Sequence, residues 1–210
     1  MFINKFITDL KLELAKDLPS KKAHQRMMPS VRVLSPLDYS INASTKQSGV
    51  LILLYPKENN LYTVFIQRQD YDGVHSGQIA FPGGKFEKED ITLIQTALRE
   101  ANEEVGIDIS SVEVLGQLSE LFISHSNFLV LPVVAYMPVA PLFILNNKEV
   151  KKIIEVNINE ILASESISEN EFIGAGNKKI QAPCYNFNNN MVWGATAMIV
   201  SELHCILENI

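Results

Sequence analysis

An arginine and three glutamates stand close together in Arg99-Glu100-Ala101-Asn102-Glu103-Glu104. Carboxylate oxygens with no histidine or thiolate among them select hard divalent cations, Mg²⁺ or Mn²⁺. Such an ion neutralises charge building on a phosphorus and its leaving oxygen, and it lowers the pKa of a bound water. Glu100 and Glu104 lie one helical turn apart and are the leading candidate ligands. Glu103, three residues from Glu100, can complete a site for a second ion. Arg99 is placed to hold a glutamate through its fork of donors.

The element carrying these side chains reads as a helix. Ile91, Ile94, Ala97, Leu98, Ala101 and Val105 recur at spacings of three and four, an apolar stripe at helical period. At about 100° per residue the three glutamates fall on the face opposite that stripe. Asp90 or Thr92 serves as N-cap, and Gly106 sits where a left-handed C-cap ends the helix. The glutamates break two local rules there. A helix C-terminus carries partial negative charge, and Glu100 and Glu104 are like charges at i,i+4. Such conflicts concentrate at functional sites, and a bound cation removes both. Upstream, Phe81-Pro82-Gly83-Gly84 reads as a tight turn where backbone can approach a ligand. Alone, a glutamate-rich face is a solvated surface and Gly-Gly is a turn; in this order they favour a site.

The span 84–107 resembles the Nudix box, Gly-x5-Glu-x7-Arg-Glu-U-x-Glu-Glu-x-Gly-U with U apolar. Gly84 opens it, and Arg99 through Ile107 closes it. Asp90 stands where the box has its first glutamate, and one extra residue precedes Arg99. Both departures resemble the coenzyme A pyrophosphatase branch. So does the stretch before the box, Arg68-Gln69-Asp70-Tyr71-Asp72-Gly73-Val74-His75-Ser76-Gly77-Gln78. The similarity is close over about 50–134 and looser towards both ends.

The resemblance implies a mixed β-sheet sandwiched between helices. It also implies an Mg²⁺- or Mn²⁺-dependent diphosphohydrolase, with Glu100, Glu103 and Glu104 as metal ligands and Arg99 among the catalytic residues. The expected substrate is coenzyme A or its thioesters, cleaved to 3′,5′-ADP and 4′-phosphopantetheine. ADP-ribose, another nucleoside diphosphate derivative, or a non-catalytic nucleotide-binding module are the alternatives; retention of all three glutamates favours an enzyme. Arg68, His75, Gln78, Gly83 and Gly84 are the expected substrate-binding residues, with Arg68 also readable as a surface arginine at a strand end. Asp90 either caps the helix or holds an outer water. The general base is Glu100 or an acid outside the box, Glu120 or Glu149.

Composition fits this reading. The 210 residues suffice for one domain with a full core, taken as 1–210 with an N-terminal helix and arm (about 1–46) and a C-terminal helix (about 192–208). Apolar content of 47% and charged content of 20% are ordinary for a globular chain. A net charge of −6 argues against nucleic acid or an anionic membrane as partner. Cys184 and Cys205 lack metal-binding spacing and read as reduced, buried thiols in a cytoplasmic protein. The uncharged run 128–145 is long enough to span a bilayer, but Pro132, Pro138 and Pro141 make it a buried strand and a loop. A homodimer is compatible with the family.

The remaining pattern predicts a helix at 3–17, irregular chain at 18–46, and strands near 49–55, 61–67, 112–120, 128–137 and 150–156. A short strand precedes the glycine turn, a helical turn lies at 158–163 and a hairpin at 171–187. Ser124, Ser126 and Asn127 stand between strands, where a substrate loop can sit. Lys21, Lys22, Arg26 and Arg32 form a basic run, read either as a 3′-phosphate contact or as a solvated arm. Trp193 reads as packing.

Overall fold

A computed structural model describes residues 2–29, 41–71, 75–163, 167–173 and 179–210. Its longest strand, β1 (Lys46–Lys57), organises the fold. The run Val50-Leu51-Ile52-Leu53-Leu54-Tyr55 has the continuous apolar character of a strand covered on both faces. Leu51, Leu53 and Tyr55 enter one buried cluster, and Ile52 and Leu54 enter the other.

Along one edge, β1 pairs in parallel with β7 (Phe128–Tyr136). Along the other it pairs antiparallel with β2 (Asn60–Arg68) near its end and with β4 (Gly83–Lys85) near its start. β3 (Ile79–Ala80) and β8 (Val150–Asn157) join β2, while β5 (Glu113–Gln117) and β6 (Leu121–Ile123) join β7. The result is a mixed eight-stranded sheet.

The carboxylate helix, α3 (Leu93–Val105), covers one face through Ala97, Ala101 and Val105. The opposite face receives α1 (Phe2–Leu14), α4 (Ile158–Leu162) and α5 (Gly194–Leu207). A second antiparallel sheet of β9 (Ile167–Ile173), β10 (Lys179–Phe187) and β11 (Asn190–Trp193) adds Tyr185, Phe187 and Val192 to that cluster. This is the expected α/β fold, with helices on both faces of a mixed sheet.

Several local expectations change. The 18–46 segment holds a short helix, α2 (Ser20–Gln25), with Pro19 at its start. Proline is tolerated where the first helical N–H groups lack partners anyway, and six residues are too few to show a period. The strand expected at 112–120 is the shorter β5, with a 3₁₀ turn at Ile109–Ser111 before it, and β6 follows as a further strand. The hairpin gains a third strand, β11, whose last residue, Trp193, precedes α5. Ile91 lies outside α3 and is 82% exposed. Cys184 is buried and Cys205 half-buried; both are free thiols. The 128–145 run is β7 plus a loop, and no helix among the described residues is long and apolar enough to cross a membrane.

The largest change concerns the glycines. Instead of only turning, Gly83 and Gly84 belong to β4 and pair with Val50 and Gly49 of β1. Leu51 N–H donates to Pro82 O at 2.8 Å, extending that ladder.

Candidate active site

Helix α3 begins at Thr92, whose side chain accepts from Gln95 N–H, and ends at Gly106 with φ 71°. That positive φ favours glycine. The chain after β7 returns to finish the cap: Ile144 N–H donates to Val105 O at 2.9 Å and Asn146 N–H to Glu104 O at 3.0 Å. Two carbonyls of the last turn are therefore satisfied from outside the helix.

Asp90 neither caps the helix nor faces water. Its buried carboxylate accepts from Glu87 N–H (3.0 Å) and Thr96 Oγ1 (2.9 Å). It also takes the Arg99 fork, Nε to Oδ1 at 3.0 Å and Nη2 to Oδ2 at 3.0 Å. The Arg99 hydrogen bonds hold Asp90 well below the usual carboxylate range. Arg99 reaches on to Glu100 Oε1 at 3.1 Å and more loosely to Glu103 at 3.4 Å, and it donates to Lys85 O. Its bidentate partner is thus an aspartate; the glutamates take the remaining nitrogen.

The three glutamates do not share one solvent face. Glu103 is half-exposed, whereas Glu104 is 1% exposed and belongs with Ala97, Ala101 and Val105 on the buried side. Its Oε2 accepts from Gly83 N–H at 2.8 Å. Burial pushes the Glu104 carboxyl up to about 7; the Gly83 hydrogen bond and the Arg68 charge pull it down, and Glu100 and Glu149 push it up. Burial also raises Glu100, against Arg99 and with the help of Glu103 and Glu149. The Glu100 carboxylate lies against Gly84, where an added Cβ would overlap it. Gly84 therefore has to be glycine for Glu100 to sit there.

Against β4 opens a cavity of about 680 Å³. Arg68, His75, Gln78, Gly83 and Gly84 all line it, so the structure brings the five expected substrate residues together. Gly83 spends its N–H on Glu104, so its contribution to a ligand is close backbone approach. His75 Nδ1 lies 3.0 Å from Gln78 Oε1, and the His75 and His125 ring centroids are 5.2 Å apart. Ser124 and Ser126 line the cavity; Asn127 instead ties the loop to Ser44 and Lys46.

Sequence reasoning passed over His125, Lys179 and Thr196, which also line the cavity, and it read Trp193 as packing. Trp193 does both, stacking on Phe172 at 4.5 Å and lining the wall. These residues come from the β6–β7 loop and the C-terminal third, which only tertiary folding brings to β4. Lys21 and Lys22 are exposed on α2, and Arg26 donates to Cys205 Sγ; none of the three lines the cavity. Arg32, Asp72, Gly73 and Val74 lie outside the described residues. Glu120 is exposed between β5 and β6, while the Glu149 charge acts on both Glu100 and Glu104.

Residues 45–179 match the NUDIX domain family. The chain belongs to the Nudix family. It is a Nudix hydrolase, a pyrophosphohydrolase of diphosphate-containing substrates, in a family that generally uses divalent metals. It is 38% identical over 171 residues to the uncharacterized Nudix hydrolase NudL of Yersinia enterocolitica, covering 80% of this chain and 85% of NudL. It is 37% identical over 165 residues to NudL of Yersinia pestis, covering 77% and 80%. Among solved structures, a Nudix hydrolase from M. Smegmatis, RenU, superposes with TM-score 0.55 at 15% identity, covering 79% of this chain and 88% of RenU. A MutT/nudix family protein from Enterococcus faecalis gives 0.52 at 14%, covering 80% and 64%. At those identities the likeness shows the Nudix fold alone.

Proposed function

We propose that this Nudix hydrolase cleaves coenzyme A or its thioesters, with Mg²⁺ or Mn²⁺, to 3′,5′-ADP and 4′-phosphopantetheine. The observation carrying this reading is the glycine strand. Glu100 and Glu104 meet it, and Arg68, His75 and Gln78 line a cavity that shares its backbone.

The donor set fits a hard cation. Two desolvated carboxylates held against mutual repulsion are what a divalent ion relieves. Among the described residues no three acidic, imidazole or thiolate groups converge into a closed cage. A metal here would be held by Glu100 and Glu104, with substrate phosphates and water completing its shell. Glu100 and Glu104 are the proposed ligands, with Glu103 for a second ion. When bound, the metal supplies charge neutralisation at the diphosphate and a more acidic water.

The chain's own residues do the rest. Asp90 clamps Arg99, which steadies Glu100 and Glu103. Arg68 pairs with a phosphate oxygen through its planar fork. Gly83 and Gly84 let the diphosphate approach the backbone without side-chain obstruction. Glu149, whose charge reaches both ligand glutamates, is the better-placed of the outside acids to take a proton from water. Water adds to one phosphorus and the bridging P–O bond breaks, leaving two monoesters.

Incubation of the pure protein with coenzyme A and Mg²⁺, followed by chromatography, tests the reading. It is supported by stoichiometric 3′,5′-ADP and 4′-phosphopantetheine. Turnover of ADP-ribose or a dinucleotide polyphosphate with none of coenzyme A would replace the substrate, and tight binding without turnover would remove the catalytic claim.

A further inference from the structure

The cavity holds more anion-binding groups than a diphosphate at β4 uses. Its described lining residues include Arg68, Lys179, His75 and His125, and no aspartate or glutamate, in a chain of net charge −6. Arg68 lies towards the glutamates, since its charge acts on Glu104. Lys179 is already paired with Glu171 at 2.8 Å. The loop between β6 and β7 remains, with Ser124, His125 and Ser126 on the cavity wall.

Two observations point to a ligand at that loop. The Ser126 Oγ is buried and has no hydrogen-bond partner among the described residues. A buried hydroxyl left without a partner is unfavourable, and a ligand oxygen can supply the missing partner. The second is the approach of His75 and His125, two imidazoles from loops on different strands, with ring centroids 5.2 Å apart. His75 is held through Nδ1 by Gln78, which leaves its Nε2 edge for a ligand.

The loop is not part of the diphosphate position. From β4 to β6 the sheet order passes through β1 and β7. Three inter-strand steps amount to roughly 14 Å, farther than one diphosphate reaches.

We infer that Ser124, His125 and Ser126, with His75 opposite, form a second subsite for a phosphomonoester carried by the same substrate. It selects diphosphates bearing an additional phosphate over those without one. The inference rests on the proposed coenzyme A reading, in which the 3′-phosphate is that group.

The test compares coenzyme A with 3′-dephospho-coenzyme A, which differ by that one phosphate. The expected kcat/KM ratio is at least about tenfold in favour of coenzyme A, as hydrogen bonds to a charged group of 1.5–3 kcal/mol imply. His125→Ala and Ser126→Ala should bring the ratio close to one through KM, with kcat changed less than about twofold. Ser126→Ala removes only an unpartnered buried hydroxyl, so its Tm should be no lower than that of the wild type. Calorimetry with 3′,5′-ADP against AMP gives a readout independent of turnover, and the same preference is expected. Equal turnover of the two coenzymes, or a ratio that survives both substitutions, overturns the subsite while leaving the function standing. Turnover of neither coenzyme overturns the function reading, and calorimetry showing no preference for 3′,5′-ADP overturns the subsite on its own.

Discussion

Two glutamates among the described residues are buried, on opposite faces of the main sheet, and they are treated in opposite ways. Glu202 on α5 is fully buried and accepts from His24 Nε2 (2.9 Å), Ser119 Oγ (2.6 Å), Ser119 N–H (3.2 Å) and Ser20 N–H (3.0 Å). It ties α2 and the chain between β5 and β6 to the C-terminal helix. Glu104 on α3 is equally buried but receives one N–H, from Gly83, and sits among Glu100 and Glu149. A satisfied buried carboxylate is a structural joint. One left desolvated, with a single N–H donor, is unfavourable alone and becomes favourable when a cation arrives. Sequence types cannot separate the two; their partners do.

The comparison can be broken first at the α3 end. Glu104→Gln keeps an oxygen for Gly83 but removes the charge. Steady-state assays should show kcat lower by about 10³-fold, since several kcal/mol of charge stabilisation is lost at 1.36 kcal/mol per decade. The fold should persist by circular dichroism. Glu202→Ala should do the reverse. Urea unfolding should report a loss of about 3 kcal/mol or more, because the buried donors of His24, Ser119 and Ser20 lose their acceptor at roughly 1–3 kcal/mol each. Activity per folded molecule should hold at the wild-type level. If the two variants exchanged phenotypes, the division between joint and site would be wrong.

Smaller effects sharpen the account. Gly84→Ala drives a methyl into the Glu100 carboxylate; displacement on the ångström scale predicts a loss of about 10²-fold in kcat/KM. Asp90→Asn loosens Arg99 and should cost about tenfold, the lower range for partners that orient a ligand. The same variant has a pH signature. Asp90 is held below its ordinary value of 3.8 in the fold. Its stabilisation is therefore complete above about pH 4 and is lost as pH falls through the folded value. The Tm gap between wild type and Asp90→Asn should be constant near neutrality and close on acidification.

Much of this was legible in the sequence because it is local. The Ala97–Ala101–Val105 stripe, the Gly106 cap and the apolar runs of β1 and β7 follow from periodicity and turn chemistry. The Nudix resemblance supplied the box. What escaped depends on contacts between distant segments. Gly83-Gly84 reads as a turn until Gly49 and Val50 of β1 are seen to pair with it. Glu104 reads as solvent-facing until Gly83 donates to it. Asp90 reads as a cap because its partner is nine residues along, beyond the capping spacing. The cavity wall beyond β4 comes from His125, Trp193 and Thr196, none of which carries a local signal.

The central claim is that the end of α3 is built for a divalent cation. Calorimetric titration of the metal-free protein with Mn²⁺ tests it most directly. The account predicts saturable binding by wild type and loss of at least tenfold in affinity in Glu104→Gln, as expected for removing one of few charged ligands. Undiminished Mn²⁺ binding by Glu104→Gln, or no binding by wild type in the presence of substrate, would contradict it.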